Sequence, residues 1–424
     1  MPSRQDHMHS YQFMVQRLVA AIVLRDTDPV HPPFRRLVAA ASAGVLLATL
    51  ALAATAGYGL LVRDDDSWRA GDALIVAKES SARYVYRDGL LHPVLNYTSA
   101  LLILGIGRPR TVYVPARSLA AVPRGTPLGI PGAPDALAEP ERLVGLPWTL
   151  CGSALHLGGG GAGGRALGDL GLLVRDPAGT SYLIWRNRRH PIREPAVVLA
   201  ALGWGRAPHV RVPTPVLDAL PAGDDLARIP IGGRGRPSGL AGLRVGDVVV
   251  VESQGGARQY AVALAGGLAP VTQMQADLLL AERGTRLRRL DPGSYTTAPK
   301  LDDLVPGGPV PPPEETPELV RPAGELCVDV ADDTVGVRVD VPVDGVDGVV
   351  VPPGRGAVVD AGGTLSVVTD LGMRYAVPSR EVLAMLGYGD VTPLRLPAGV
   401  VALLPAGPAL DPGVIHRFAN RATG

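Results

Sequence analysis

Apolar and charged positions are segregated most sharply near the start of the chain. Residues 37–62 contain no charged side chain, and a helix needs roughly 20 apolar residues to cross a bilayer. A secretory signal peptide is the alternative, but its apolar region is about 7–15 residues long and lies at the very start of a chain. This run is longer and begins only at residue 37. We therefore predict a single transmembrane helix over 37–62.

The charges that flank this run predict its orientation. Arg35 and Arg36 precede it, whereas aspartates occupy positions 64–66 just beyond it. Positively charged flanks remain in the cytoplasm. Residues 1–36 are therefore predicted to be cytoplasmic, and the chain from residue 63 onward extracytoplasmic.

The cytoplasmic segment has a helical pattern of its own. Tyr11, Val15, Leu18 and Ile22 recur at helical spacing, and Pro29 ends the pattern. Such an amphipathic helix beside a membrane span lies on the lipid surface or packs on a partner. The pattern leaves both alternatives open.

The two cysteines agree with the predicted topology. Cys151 and Cys327 both lie in the exported part, where an isolated pair most simply forms one disulfide. Such a bond would contribute about 4–5 kcal/mol by the chain-entropy argument. Two separate buried thiols are the alternative.

Four internal repeats follow the predicted membrane helix. They begin at Tyr84, Tyr182, Tyr260 and Tyr375. The offset between a helix-ending residue and a later proline is the same in each copy. The pairs are Gly105 with Pro115, Gly203 with Pro213, Glu282 with Pro292 and Gly387 with Pro397.

Each repeat is predicted to form a two-stranded hairpin, an apolar helix, a short strand and a final short helix. The second strand of the hairpin is predicted to start at the tyrosine and to end at a proline. One repeat is too small to bury a core unaided. We therefore predict an α+β protein in which one transmembrane helix precedes an elongated extracytoplasmic domain of four small α/β repeats around a β-rich central core.

The predicted boundaries follow from these patterns. They are 1–36 cytoplasmic segment, 37–62 transmembrane helix, 63–124 repeat 1, 125–167 first part of the central core, 168–223 repeat 2, 224–306 linker and repeat 3, 307–363 second part of the central core, 364–412 repeat 4, and 413–424 tail.

Composition and motifs predict no catalytic, cofactor-binding or metal site. Lys and Arg number 41 against 40 Asp and Glu, and aromatic residues are 4% of the chain, which argues against nucleic-acid binding. The glycines at 158–161 and 163–164 are followed by Arg165 and lack the lysine and hydroxyl of a phosphate loop.

The remaining candidates for chemistry favour structural roles. His92 and His190 hold equivalent repeat positions beside a proline, which suggests a strand-end role. The pair His7 and His9 lies near the terminus. Three aspartates lack the order of a calcium loop: Asp340, Asp344 and Asp347.

The layout as a whole resembles the EccB family, a membrane component of actinobacterial type VII (ESX) secretion systems. The resemblance rests on YQFMVQRLVAAIVLRDTDPVHPPFRR at 11–36, the single span, the four repeats, GLPWTLC at 145–151 and GELCVDV at 324–330. It implies a periplasm-facing domain with a disulfide-bearing core. It also implies assembly with an FtsK/SpoIIIE-type ATPase, a polytopic membrane subunit and a further membrane subunit.

This resemblance leads to the expected function. The chain is expected to be a structural membrane subunit of a protein-secretion translocon, forming a homodimer within a larger assembly in the cell membrane. Some family members are described as ATPases. This sequence contains no recognisable Walker motif, so it gives no support of its own for that activity. A cell-envelope hydrolase and an envelope-binding module are the alternatives.

Overall fold

The computed structural model describes residues 4–24, 34–61, 66–159, 163–305, 308, 310–332, 334–342 and 345–415. The predictions made for Pro29, Asp344, the acidic flank at 64–65 and the end of the tail lie outside the described residues. The chain divides into two compact units, Met1–Arg69 and Ala70–Gly424.

All regular elements can be given in chain order. The strands are β1 (Ala73–Ala77), β2 (Arg83–Arg87), β3 (Leu90–Pro93), β4 (Arg110–Val114), β5 (Trp148–Cys151), β6 (Ala154–His156), β7 (Arg165–Ala166), β8 (Leu172–Arg175), β9 (Ser181–Trp185), β10 (Arg188–Pro191), β11 (Val210–Arg211), β12 (Val248–Glu252), β13 (Arg258–Leu264), β14 (Gly267–Val271), β15 (Leu287–Arg289), β16 (Glu325–Ala331), β17 (Thr334–Val341), β18 (Gly348–Val350), β19 (Ala357–Ala361), β20 (Thr364–Val368), β21 (Arg374–Val377) and β22 (Leu394–Arg395). The helices are α1 (Arg4–Leu24), α2 (Phe34–Leu61), α3 (Tyr97–Leu104), α4 (Ala116–Ala120), α5 (Pro195–Ala201), α6 (Thr214–Asp218), α7 (Gln273–Leu280), α8 (Pro292–Thr297), α9 (Arg380–Met385) and α10 (Ala398–Val401), with 3-10 turns at Asp66–Ala70 and Pro140–Arg142.

The first unit contains the apolar run as a helix. Within α2, Val38–Thr55 has a mean hydropathy of 2.0, and none of it is buried inside the protein. In the described part of the chain, α2 is the one helix long and apolar enough to cross a membrane. The helix begins at Phe34, three residues before the predicted boundary at 37.

Each repeat forms a four-stranded sheet with one topology. The orders are β3-β2-β1-β4, β10-β9-β8-β11, β14-β13-β12-β15 and β21-β20-β19-β22. The first three strands of each repeat are antiparallel neighbours, and the fourth returns parallel to the first. The helix between the third and fourth strands makes this parallel return possible, because a parallel pair needs a crossover connection.

The predicted two-stranded hairpin was wrong, because the structure has three antiparallel strands in its place. In repeat 1 the segment from Tyr84 to Pro93 turns back at Asp88 and Gly89, both of which have positive φ. Repeat 2 makes the same turn at Arg186 and Asn187. Two successive left-handed residues give the tight turn that matches strand twist. The Asp-Gly pair is a sequence signal for this turn. It was missed because the repeats were aligned by their tyrosines.

The predicted start of repeat 4 at residue 364 was wrong for a related reason. The sheet of repeat 4 includes β19, which the prediction assigned to the central core. Its first hairpin turn lies at Gly362 and Gly363, so the turn at Leu371 and Gly372 is the second one. Tyr375 therefore lies on the third strand, whereas Tyr84 lies on the second. Matching tyrosines shifted the alignment by one strand.

A six-stranded central sheet is built from two distant segments. Its order is β18-β6-β5-β16-β17-β7. Strands β5 to β7 precede repeat 2, whereas β16 to β18 follow repeat 3. The two segments meet where β5 pairs antiparallel with β16. The α+β fold class, with four α/β repeats and a β-rich core, is thereby confirmed.

Helix caps show how the local sequence positions the repeat helices. The side chain of Asn96 accepts a hydrogen bond from the Ser99 amide at the start of α3, and Gly105 ends that helix in the left-handed conformation. In repeat 3, Thr272 and Gln275 form a reciprocal capping box at the start of α7. Ser379 caps α9 in the same way as Asn96 caps α3.

Repeat helices also pack against one another in pairs. Helix α3 contacts α9, and α5 contacts α7, so that repeat 1 meets repeat 4 and repeat 2 meets repeat 3. At the first of these contacts, a Cβ atom on Gly107 would lie 2.6 Å from the amide nitrogen of Gly387. Glycine at this position permits the close backbone approach.

Candidate functional site

The two cysteines join the halves of the central sheet. Cys151 on β5 lies directly opposite Cys327 on β16, and a disulfide links them with a Cα–Cα distance of 4.3 Å. Both are buried, and they pack with Val341 of β17. The bond therefore connects the strand before repeat 2 to the strand after repeat 3, and closes both repeats into one covalent loop.

A partly buried polar network lies beside the disulfide, on its two strands and on β17. Thr149 Oγ1 donates to Asp329 Oδ1 at 2.7 Å, and Arg338 Nε donates to Asp329 Oδ2 at 2.6 Å. Partial burial opposes ionisation of Asp329, but the hydrogen bonds from Arg338 and Thr149 prevail and lower its pKa. The network ties β5, β16 and β17 together across the sheet.

Residues at the end of the glycine run make hydrogen bonds to this network and to β17. Arg338 Nη1 donates to the Gly163 carbonyl at 2.7 Å, and Arg165 Nε donates to Asp340 at 2.9 Å. A Cβ atom on Gly164 would lie 2.8 Å from the Val339 carbonyl, so glycine permits the chain to pass close to β17. Gly163 and Arg165 thus contact the central sheet; residues 160–162 of the run lie outside the described residues.

The repeat histidines occupy matching positions. His92 Nδ1 lies 2.9 Å from the Thr126 carbonyl, and His190 Nδ1 lies 3.0 Å from the Asp224 carbonyl. Each ring covers a glycine in the segment that leaves its repeat, at Gly125 and Gly223 respectively. The contact gives both histidines a structural role near the end of a strand, and the glycine partner was not foreseen from the sequence.

The other candidates are dispersed over the molecule. His7 and His9 lie on exposed turns of α1. Asp340 accepts a hydrogen bond from the Ala323 amide, and Asp347 accepts one from Ser153. Over the described ranges, no group of three His, Cys, Asp or Glu side chains could hold a metal ion.

A cleft of about 650 Å³ lies where repeats 2 and 4 meet the central sheet. It contains Asp218, Asp332, Asp360 and Arg395. Arg189 donates to Asp218 at 2.6 Å, and Asp360 accepts from the Gly363 amide at 2.7 Å. Two of its carboxylates therefore hold neighbouring parts of the protein in place.

These features define a class of protein: one candidate membrane helix, then a domain of four α/β repeats arranged on a disulfide-joined sheet. A family model described as "Type VII secretion system ESX-1, transport TM domain B", that of EccB, matches residues 1–344 and 328–414. The chain belongs to the EccB family.

Curated relatives extend this assignment. ESX-2 secretion system ATPase EccB2 of Mycobacterium tuberculosis is 31% identical over an alignment of 299 positions, which covers 65% of this chain and 59% of the relative. That match thus spans less than two thirds of the relative's length. ESX-3 secretion system ATPase EccB3 of Mycolicibacterium smegmatis is 29% identical over an alignment of 464 positions, which covers 95% of this chain and 88% of the relative.

Solved structures share the fold. A chain of an intact ESX-5 inner membrane complex has a TM-score of 0.67 and 23% identity, with coverage of 98% of this chain and 95% of that chain. An EccB3 dimer from the ESX-3 core complex has a TM-score of 0.65 and 26% identity, covering 81% of this chain and 99% of that chain.

Proposed function

We propose that this protein is a structural subunit of a type VII secretion complex in the cell membrane. The match of the EccB family model to residues 1–344 and 328–414 is the observation that carries the proposal. The architecture supports it, because caps, polar networks and a disulfide hold the repeats in a defined arrangement. Such an arrangement suits a scaffold that presents surfaces to other subunits.

The proposed topology places α1 in the cytoplasm, α2 in the bilayer and the repeats outside. Two arginines at 35–36 precede the span and aspartates at 64–66 follow it, which is the charge distribution expected for this orientation. The disulfide between Cys151 and Cys327 supports it independently, because such bonds persist in oxidising compartments.

The proposed partners are a second copy of this chain and other secretion subunits. They comprise an FtsK/SpoIIIE-type ATPase, a polytopic membrane subunit and a further membrane subunit. The dimer follows the EccB3 dimer of the ESX-3 core complex. On α1, a row of apolar side chains is exposed, with Tyr11 at 69%, Leu18 at 62% and Ile22 at 73%. This row is the proposed contact with a partner subunit.

Affinity purification of the tagged full chain from its own membranes tests the proposal. We expect the secretion ATPase and the other membrane subunits to co-purify. Leu18→Glu should remove at least one of them, since it places a charge in the apolar row. Gln16→Glu adds the same charge at an exposed polar position of α1 and should leave the complex intact. Equal recovery of all subunits with both variants would limit α1 to a lipid contact. If the wild-type chain purified without any other secretion subunit, the scaffold role would be refuted.

A nucleotide hydrolase is the second candidate, because the names of the EccB2 and EccB3 relatives include ATPase. An ATP-turnover assay on the purified full chain separates the two functions. A hydrolase would keep a constant specific activity through successive chromatographic steps. A scaffold would lose the activity as the ATPase subunit is removed.

A further inference from the structure

Three repeats close one sheet edge with the same contact. A ring on the third strand covers a glycine in the segment that leaves the repeat. The pairs are His92 with Gly125, His190 with Gly223 and Tyr375 with Gly407. In each pair a Cβ atom on the glycine would overlap the ring. The contact therefore depends on the ring and on the space that glycine leaves for it.

In repeat 2 the leaving segment lies against β10. We call residues 221–226 the exit segment. The Arg189 amide donates to the Pro221 carbonyl at 3.0 Å, the Gly223 amide to Arg189 at 2.8 Å, and the Leu226 amide to Pro191 at 2.7 Å. Within the exit segment the Asp224 amide donates to the Val310 carbonyl at 2.9 Å. The exit segment thus joins repeat 2 to the chain that follows repeat 3.

His190 holds the exit segment from the inside. Its side chain is fully buried, at 0% exposure. A carbonyl oxygen only accepts hydrogen bonds, so Nδ1 must carry the proton that it shares with the Asp224 carbonyl. Nε2 is buried without a hydrogen-bond partner in the part of the chain that the structure describes. This arrangement suits the neutral ring.

The surroundings offer little compensation for a charge on this ring. Trp185, whose ring centre lies 6.4 Å from that of His190, carries no charge that could balance one on the histidine. Two charged side chains act on it: Arg188 on its own strand disfavours a positive ring, and Asp224 on the exit segment favours one. Burial outweighs the help from Asp224 and lowers the pKa of His190 below its ordinary value of 6.5.

We propose that the exit segment of repeat 2 detaches from β10 in acid, because protonation of His190 at Nε2 places a charge in the interior that Asp224 offsets only in part. Detachment exposes the ring to water at the cost of a few backbone hydrogen bonds. It also loosens the connection between repeat 2 and the segment around Val310. Repeat 4 makes the same contact with Tyr375, which stays neutral over this range, and therefore remains closed.

Hydrogen exchange of the full chain in detergent tests this proposal. The Gly223 and Leu226 amides report on the exit segment, and the Gly407 and Leu410 amides report on the equivalent segment of repeat 4. After correction for intrinsic exchange rates, opening in repeat 2 should increase between pH 7.5 and pH 5.0. The upper limit is about thirtyfold, set by protonation of an exposed histidine of ordinary pKa. The repeat 4 amides should not change.

Two variants distinguish histidine protonation from general loosening in acid. His190→Asn keeps a donor for the Asp224 carbonyl but does not titrate. His190→Tyr copies the pair found in repeat 4. Either variant that folds should abolish the extra opening at pH 5.0. Equal protection of the exit segment at both pH values in the wild type, or persistence of the acid effect in His190→Asn, would overturn the proposal and leave the secretion role unaffected.

Discussion

Repeats 2 and 3 close the same sheet edge with opposite distributions of side-chain volume. Repeat 2 has a large ring on its third strand, His190, and Gly223 opposite it in the exit segment. Repeat 3 has Ala269 on its third strand, and Leu301 occupies the place of the glycine, with its amide bonded to Leu268. Two backbone hydrogen bonds recur at this edge: the bonds of the Arg189 amide to Pro221 and of the Gly223 amide to Arg189 correspond to those of the Leu268 amide to Pro299 and of the Leu301 amide to Leu268. The two repeats thus place their larger side chain on opposite sides of this edge, and we expect the summed side-chain volume to matter more than which side supplies it.

The largest expected effect comes from filling the glycine position in repeat 2. Gly223→Leu should destabilise the protein by about 3 kcal/mol, because the new side chain overlaps the His190 ring and must displace it or the exit segment. Thermal unfolding of the full chain measures the change.

Adding His190→Ala to Gly223→Leu provides the matched control for that prediction. The double variant recreates the Ala269 and Leu301 arrangement of repeat 3, so it should recover more than half of the lost stability. Independent, additive losses in the double variant would show that the two repeats do not close by volume exchange.

A smaller effect is expected from emptying the same edge in repeat 3. Leu301→Gly should cost about 2 kcal/mol, because it removes apolar contact with the cluster around Ala269 and makes the chain more flexible. Adding Ala269→His should restore part of this loss. A loss in Leu301→Gly below the measurement error would mean that Leu301 does not fill this edge.

The acid response is expected to be smaller still. Since the pKa of His190 is lowered in the folded state, its contribution to stability is complete above about pH 6.5 and declines as the pH falls below that value. The wild type should therefore lose at most about 2 kcal/mol more than His190→Asn on going from pH 7.5 to pH 5. Parallel pH profiles of unfolding temperature for the two proteins would contradict this assignment.

The smallest effect concerns the surface ion pair on the same exit segment. Arg193 Nε donates to Asp225 at 2.6 Å, but both side chains are largely exposed. Arg193→Ala should therefore leave the unfolding temperature unchanged within error. A drop as large as that of Gly223→Leu would show that charge, and not the buried ring, holds the segment.

The sequence allowed the membrane helix, the four repeats and the α+β class to be predicted, because each depends on patterns that extend over many residues. The apolar run at 37–62 and the constant offset from Gly105 to Pro115 are of this kind. Short signals were harder to interpret. The signal for the turn at Asp88 and Gly89 consists of two residues only. It was missed when the repeats were aligned by their tyrosines.

Tertiary contacts explain the remaining difference. The pairing of His190 with Gly223 joins positions 33 apart in number, and nothing local distinguishes Gly223 from a loop glycine. The same holds for Arg338 and Gly163, which meet only because the central sheet brings β17 to the end of the glycine run. The local motif argued against a phosphate loop there, but it could not show that Arg165 pairs with Asp340.

Complementation of export tests the secretion role most directly. In the source bacterium, deletion of this chain should abolish export of the substrates of its type VII system, and the full chain should restore it. A chain without residues 4–24 should reach the membrane but fail to restore export. Normal export in the deletion strain would contradict the account.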